Sequence, residues 1–409
     1  MKRRFYVARR EHTQHNQIDK RKHASASAGR KEKPTEAGRR NDHARAERSG
    51  NRASGEGRRA GERAQTERKP VAFMASGVAA RDWAQPVAVT VETEAQLAEV
   101  LKHDAVALVY LDEACFTDFA ALIRRVHTAG KQAGLRLRRI ERDFDANGRK
   151  AENSAELLNG LWKAACDAQT TGVPECSAEE RAAQSASSAD RGSAAAAEAG
   201  SQMSVSGKQP PSCLPDALLV RNLDEAMLLE DFFAAHPELK ERIRRNFDYT
   251  VYGYNQEAIQ ALVSLGADGL TYPIELTYHE CRKLREKLQS IGLGELPFEL
   301  MIYGHLPMMV SANCIQRTSA RCDHGNRILQ LRDRMGKDMP VRCYCTYCYN
   351  QIFNAEPLVL YDLPDEVRAL QPQCLRYDFS VEPAAVVRQV LEGAVPRSMT
   401  RGHFRHGIE

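Results

Sequence analysis

Four cysteines late in the chain carry the strongest chemical pattern in the sequence. Cys314 and Cys322 are followed, after a connection through Asp333 and Pro340, by Cys345 and Cys348. The two residues between Cys345 and Cys348 let both thiolates turn toward one ion or one corner of a cluster. Cys314 and Cys322 can supply two more ligands, and four thiolates suit an iron–sulfur cluster, such as 4Fe-4S, or a structural zinc. Cys343 and Cys374 are spare thiols, and either can replace one of the four. Read blandly, the same residues are small buried hydrophobes that bind nothing. Cys115, Cys166, Cys176, Cys213 and Cys281 are scattered and read as core or loop thiols. Eleven cysteines in a cytosolic chain stay reduced, so clustering points to metal or redox work rather than to disulfides.

A second set of residues suits a catalytic rim: Glu299, Tyr303, His305, Arg376 and Asp378. Glu299 is either a general base or a satisfied core carboxylate. Arg376 and Asp378 lie two apart on one strand, so they share a face. There the guanidinium can receive an anionic substrate group, or the two can neutralise each other. Peptidase chemistry has little support. No His-Glu-x2-His pair offers a catalytic zinc, no Gly-x-Ser-x-Gly elbow presents a serine, and Ser311 sits in Met309-Val310-Ser311-Ala312. A nucleophilic cysteine would need His305 or His324 beside it. Tyr344, Tyr347, Tyr349 and Phe353 interleave with the cysteines, where they can stack a base or merely pack the metal loop.

Eight β-rich runs would position these groups: Val87–Val91, Val106–Leu111, Leu135–Ile140, Ala217–Arg221, Asp248–Gly253, Gly269–Tyr272, Leu300–Tyr303 and Leu375–Phe379. Helical patterns follow the first six, at Glu94–Leu101, Phe116–Ala129, Ala151–Cys166, Leu223–Ala235, Asn255–Leu265 and Leu276–Ile291. Repeated strand-then-helix units predict an α/β fold, a (βα)8 TIM-type barrel with the cysteines in a loop after the seventh strand. An open doubly wound sheet is the alternative. In a barrel the site lies at the C-terminal ends of the strands. Glu275 and His279 follow one such end and Gly304-His305 another.

The barrel domain is expected over residues 71–409. Residues 1–70 read as a disordered basic tail, since the run Arg39–Arg68 has no apolar period with which to build a core. The net charge of +4 sits in that tail, which argues for at most a local contact with nucleic acid. Residues 176–206 are rich in Ala, Ser and Gly and read as a flexible insertion. No run reaches the roughly 18 apolar residues of a membrane span. The basic N-terminus has no apolar segment behind it, so a cytoplasmic location is expected.

The spacing Glu-x4-Gly-x2-Pro-Met-Met-x-Ser-x2-Cys at Glu299–Cys314 resembles the signature of the U-thirty-two family of collagenase-like peptidases. Asp333-Arg334-x-Gly336, Cys345-x2-Cys348-Tyr349-Asn350-x3-Asn354 and Thr400-Arg401-Gly402-His403-Phe404 are similar to its longer bacterial members. So are Leu219-Val220-Arg221-Asn222-Leu223 and Tyr252-Gly-Tyr-Asn255. The resemblance spans about residues 85–165 and 210–409, and it looks like the C-terminal barrel of a longer protein. It lacks the Ala-Gly-rich opening motif of many members.

The resemblance implies one of two activities. Some members are peptidases acting on collagen-like substrates. Other branches carry a four-cysteine iron–sulfur cluster and hydroxylate RNA pyrimidines or a quinone precursor. The matching cysteines are Cys314, Cys322, Cys345 and Cys348, although the close Cys345–Cys348 spacing departs from the hydroxylating branch. The expectation is an iron–sulfur enzyme of the RNA- or small-molecule-hydroxylating kind. The alternatives are a metal- or cysteine-dependent peptidase, and a non-catalytic binding module with a structural zinc.

Overall fold

The structure, a computed structural model, describes residues 71–171, 212–318, 322 and 324–407. The basic tail and the Ala/Ser insertion expected from the sequence lie outside the described residues.

After a short strand β1 (Phe73–Ser76), strands and helices alternate. They run β2 (Val87–Val91), α1 (Glu94–Val100), β3 (Val106–Asp112), α2 (Phe119–Thr128), β4 (Gln132–Arg136), α3 (Ser154–Thr171) and β5 (Ala217–Val220). Then come α4 (Leu223–Ala235), β6 (Arg244–Phe247), α5 (Gln256–Ser264), β7 (Gly269–Thr271), α6 (Tyr278–Ser290) and β8 (Phe298–Gly304). The helices begin where the sequence offers caps. Thr93, Asn222 and Asn255 each accept a first-turn N–H, and Thr277 with Glu280 forms a full capping box on α6.

Past β8 the chain leaves this rhythm. It forms β9 (Pro307–Ser311), a single turn α7 (Ile315–Thr318), β10 (Ile328–Arg332), β11 (Asp338–Tyr344) and β12 (Tyr349–Phe353). It returns through β13 (Leu358–Val359), α8 (Pro364–Ala369), β14 (Cys374–Asp378), α9 (Ala384–Leu391) and β15 (Ala394–Pro396).

Strands β2 to β8 and β14 pair in parallel all the way round. β14 lies between β8 and β2, and β7 pairs with β8 to complete the ring. This is a closed (βα)8 barrel, and the open-sheet alternative falls away. Along each strand the residues alternate between two environments. Val87, Val89 and Val91, then Val109 and Leu111, then Leu375 and Tyr377, face the surrounding helices in one continuous core. The opposite positions point into the lumen, where Ala88, Leu108, Tyr110, Ala217 and Leu219 form a small cluster of their own.

Two strand boundaries differ from expectation. β4 begins at Gln132, because Leu135 is only its fourth residue. The run Asp248–Gly253 follows β6 instead of forming it. The Asp248 side chain accepts the Tyr249 N–H and opens a single 3-10 turn over Tyr249–Val251, so a capping aspartate outweighed the β-branched residues behind it. The largest difference is after β8. The cysteine segment is not a loop but a four-stranded antiparallel sheet of order β10-β11-β12-β9.

Gly134 on β4 shows how tightly the lumen is filled. A Cβ there would lie 2.4 Å from the Tyr110 ring. Gly134→Ala should therefore displace Tyr110 from its 2.8 Å hydrogen bond to Glu299 and cost about 1–3 kcal/mol. Equilibrium denaturation checks this, and an unchanged midpoint would contradict it.

Candidate active site at the C-terminal mouth of the barrel

TIM-type barrels usually fill the lumen with branched aliphatic side chains. Here its C-terminal half is ionic. Inward positions near the C-terminal ends of the strands bring Glu92, Asp112, Arg136, Arg221, Asp248, Arg376 and Asp378 together, and Glu299, the second residue of β8, joins them from the N-terminal side through Arg376, all nearly without solvent exposure. Arg376 sits at the centre. It reaches Asp248 at 2.6 Å, Asp378 at 2.9 Å and Glu299 at 3.0 Å, and it donates to Thr271 at 3.1 Å. Arg136 lies 3.1 Å from Glu92 and 3.6 Å from Asp112, and Arg221 lies 3.6 Å from Asp112 and 3.8 Å from Asp248.

These neighbours set the ionisation. Burial pushes the Asp248 carboxyl up, but Arg376, Arg221 and Arg136 outweigh it and hold the group below its ordinary range. Burial wins at Glu299 and Glu92, whose carboxyls are raised despite Arg376 and Arg342 respectively.

The inserted sheet closes over this mouth. On β11, Arg342 and Tyr344 share the face toward the barrel. Arg342 Nε lies 2.9 Å from Glu92, its guanidinium also donates to the Ser380 carbonyl, and the Tyr344 hydroxyl donates to Glu92 at 3.2 Å. The Tyr344 ring stacks on Tyr349 at 4.7 Å. The tyrosines interleaved with the cysteines thus pack the joint between sheet and barrel, with one difference. Tyr347, in the turn between Cys345 and Cys348, is covered by the Arg138 guanidinium 4.6 Å from its ring centre, and Ala146 donates to the neighbouring Thr346 carbonyl at 2.7 Å. The loop after β4 therefore grips the cysteine turn.

Alternation along β11 puts Cys343 and Cys345 on the face opposite Arg342 and Tyr344. Burial raises the Cys343 thiol to about 11, with Cys314 and Cys322 adding to the effect. Burial raises Cys345 to about 12, with further pushes from Cys343, Cys314, Cys322 and Cys348. Five thiols are therefore near neighbours: the four expected and Cys343. Among the described residues, however, no three Cys, His, Asp or Glu side chains are disposed to hold a metal ion. Cys345 Sγ instead donates to the Gly325 carbonyl at 3.0 Å. Cys348 has the left-handed φ of 55°, a conformation a cysteine adopts only when its surroundings impose it. Cys374 is out of reach as a ligand, since it starts β14 at the far end of the lumen beside the Leu108–Tyr110 cluster.

The five residues expected at the catalytic rim divide into two groups. Glu299, Arg376 and Asp378 meet in the lumen, but they neutralise one another. Arg376, fully buried among three carboxylates, is not free to receive an anionic substrate group. Tyr303 is displaced by a register shift between β8 and β14. It faces outward against Tyr361, Tyr377 and Phe379, in the core rather than at the mouth. His305 Nδ1 donates to the Asn354 carbonyl, 2.8 Å away, and the ring lies 3.7 Å from Glu382. The hydroxyl of Ser311 accepts the Asn313 N–H. Neither contact resembles a nucleophile with its base.

The open space at this end is a cleft of about 250 Å³ between the barrel loops and strands β9 and β12. Arg139, Tyr252, Glu275, Met308, Met309 and Gln351 line it. Sequence reasoning passed over most of them. Tyr252 holds a left-handed φ of 62° and is half exposed, and its hydroxyl lies 3.4 Å from Arg139. Gln351 is buried, and its Nε2 has no hydrogen-bond partner among the described residues. A buried, unpartnered donor facing a cleft is costly unless something fills it.

Beside this mouth lies an acid pair the sequence did not announce. The Ser154 hydroxyl is 2.8 Å from Glu113 and 3.3 Å from Glu225. Burial pushes Glu113 up to about 7, against the pull of Arg138 3.0 Å away. The folded chain thus keeps a proton that the unfolded chain releases above its ordinary carboxylate range. Stability from this group is present at low pH and lost as pH rises through about 7. Glu113→Gln should remove that slope, gaining on the order of 2 kcal/mol relative to the parent between pH 5 and pH 8. Denaturant midpoints measured at both pH values check it, and parallel curves would contradict it.

No family model matches the chain, and no curated protein matches it. Solved structures do. A Coccidioides immitis protein described as a fructose-1,6-biphosphate aldolase matches at 12% identity over 53% of this chain and 64% of its own, with a TM-score of 0.29. The glycerol uptake operon antiterminator regulatory protein of Listeria monocytogenes matches at 11% identity over 54% and 80%, with a TM-score of 0.27. The flavin-binding domain of baker's yeast flavocytochrome b2 matches at 10% identity over 56% of each chain, with a TM-score of 0.28. The chain thus covers less than two thirds of the first of these. Such distant likenesses assign no activity.

Proposed function

We propose that this chain is a barrel enzyme whose inserted sheet carries an iron–sulfur cluster beside the C-terminal cleft, and that, with an external oxygen donor as the two-electron oxidant, it hydroxylates a planar substrate bearing an anionic group, such as a nucleotide of RNA or a small aromatic acid. The observation that carries the reading is the gathering of five thiols around Cys345, on a sheet whose other face seals the mouth through Arg342 and Tyr344. Cys314, Cys322, Cys345 and Cys348 would hold the cluster, with Cys343 the one thiol placed to substitute. Their chemistry fits: a bound metal draws protons off such raised thiols and compensates the charge that now disfavours their ionisation. When bound, the cluster supplies one-electron chemistry.

The cleft residues have separate tasks. Arg139 has no carboxylate partner among the described residues, and it offers its charge to an anionic group. The Tyr252 ring and Met308 cover a flat apolar face, and Gln351 Nε2 donates to a ring carbonyl or phosphate oxygen. The buried ion network keeps the mouth rigid and excludes bulk water from beneath.

The same thiols suit zinc, and one experiment separates the two. Protein purified without oxygen should be brown and contain iron and acid-labile sulfide in equal amounts. A colourless protein with one zinc per chain would support a structural centre and end the redox reading.

A further inference from the structure

We infer that the opposite, N-terminal mouth of the barrel is a second binding site, built for a small carboxylic acid with a flat apolar body. This end of a TIM-type barrel ordinarily serves stability alone, yet here it opens into a cavity of about 160 Å³. An engineered cavity of roughly 150 Å³ admits benzene, so the space takes one aromatic ring. Ala107, Leu108 and Gly269 are among the residues that line it, and small side chains pack beside it. Ala88 and Ala217 face the lumen with Leu108, and a Cβ on Gly269 would come within 3.0 Å of Asn246 Oδ1.

The polar groups are arranged by sign. At the opening, Gln132 Oε1 is taken by Arg244, 3.1 Å away, and Gln373 Oε1 accepts the Phe298 N–H at 2.7 Å. Both amides therefore turn their N–H groups outward, beside a guanidinium. The acid at the opening, Asp268, is locked by Arg245 through contacts of 3.1 and 3.0 Å. Donors and one cation without a carboxylate partner among the described residues thus ring the opening, which selects an anion. The walls are apolar, from Leu108 and Pro297.

At the deep end the sign reverses. Asn246 is 92% buried, with its Nδ2 near Thr271 and no donor to its Oδ1 among the described residues. Glu299 stands beside it, holding Tyr110 at 2.8 Å and Arg376 at 3.0 Å. A carboxylate is repelled from that floor and stays at Arg244, while the ring enters. The fully buried Arg376 closes the lumen above, so this site is separate from the cleft and does not depend on the cluster.

Benzoate is the probe, titrated calorimetrically into metal-free and metal-loaded protein alike, with benzamide as its neutral counterpart. Benzoate should bind more tightly than benzamide, and equally with or without metal. Arg244→Gln, at an exposed position, should raise the benzoate Kd at least tenfold and leave benzamide within twofold. Leu108→Phe, which fills the cavity, should abolish both; if it unfolds, Arg244→Gln decides alone. No binding of benzoate, or binding unchanged in Arg244→Gln, overturns the site. A colourless, iron-free protein that still binds benzoate in this pattern would sink the cluster reading and leave this one standing.

Discussion

Arg376→Met should be among the most damaging single changes in this chain. The substitution keeps length and removes the charge, leaving Asp248, Asp378 and Glu299 facing one another with no central cation. Breaking a buried pair by removing one partner costs about 3–5 kcal/mol, and three carboxylates lose a partner here. The pH dependence identifies the cause. Asp248 is held low in the parent largely by Arg376. Without it, burial raises the carboxyl, and the folded variant binds a proton that the unfolded chain releases. The variant should therefore gain stability relative to the parent as pH falls from 7 to 5, a range in which the parent's Asp248, held below its ordinary value, stays ionised in folded and unfolded chains alike and adds no slope. Adding Asp248→Asn should recover part of the loss at pH 7. Urea midpoints across that range test the account. A variant as stable as the parent at pH 7, or one that weakens with acid, would refute it.

Cys345→Ser and Cys348→Ser should each abolish the chromophore of anaerobically purified protein. Each removes one arm of the two-residue bite, and a serine hydroxyl is a poor ligand for iron at neutral pH. Iron and sulfide should fall from near one cluster per chain to background, with the barrel still folded by circular dichroism. Cys374→Ser should leave both unchanged, since that thiol lies at the other end of the lumen. Cys343→Ser ranks the ligands. If it bleaches the protein while one of Cys314, Cys322, Cys345 or Cys348 proves dispensable, Cys343 takes that place. Retention of full iron content in both Cys345→Ser and Cys348→Ser would put the metal elsewhere.

The barrel was legible because its outer face obeys simple rules. Leu223–Ala235 carries a capping Asn222 and a helical period, and the helix falls where they place it. Val87–Val91 and Val106–Asp112 alternate apolar residues toward the helices. The lumen was written in the same strands, yet it was read only at Glu299, Arg376 and Asp378. Glu92, Asp112, Arg136, Arg221 and Asp248 each stand at or just beyond the end of an apolar run. A charged residue repeated at that position is the signal for a polar mouth. Tyr303 misled because alternation assumes an unbroken register, and the shift against β14 turns its ring outward. The inserted sheet was hidden for another reason. Its outer strands β9 and β10 are partly exposed, its inner strands β11 and β12 mix buried polar with apolar residues, and all are set by pairing with each other, so no single strand carries a periodic signature. The cleft residues Arg139 and Gln351 become visible only when that sheet is folded against the loops.

The position of β14 has a consequence for how the chain is made. It zips between β8 and β2, and the hydrogen bond from Thr90 to Asp378 joins residues 288 apart in the chain. Until β14 emerges from the ribosome, β2 and β8 present open edges. At about 5–20 residues per second, that interval lasts roughly 15–60 s. Uncovered edges of this kind recruit other strands, and contacts of such long sequence separation form late. The nascent chain is thus most vulnerable to association with its neighbours just before its last strand arrives. Released chains that end before Cys374 should stay bound to chaperones that let the full-length chain go.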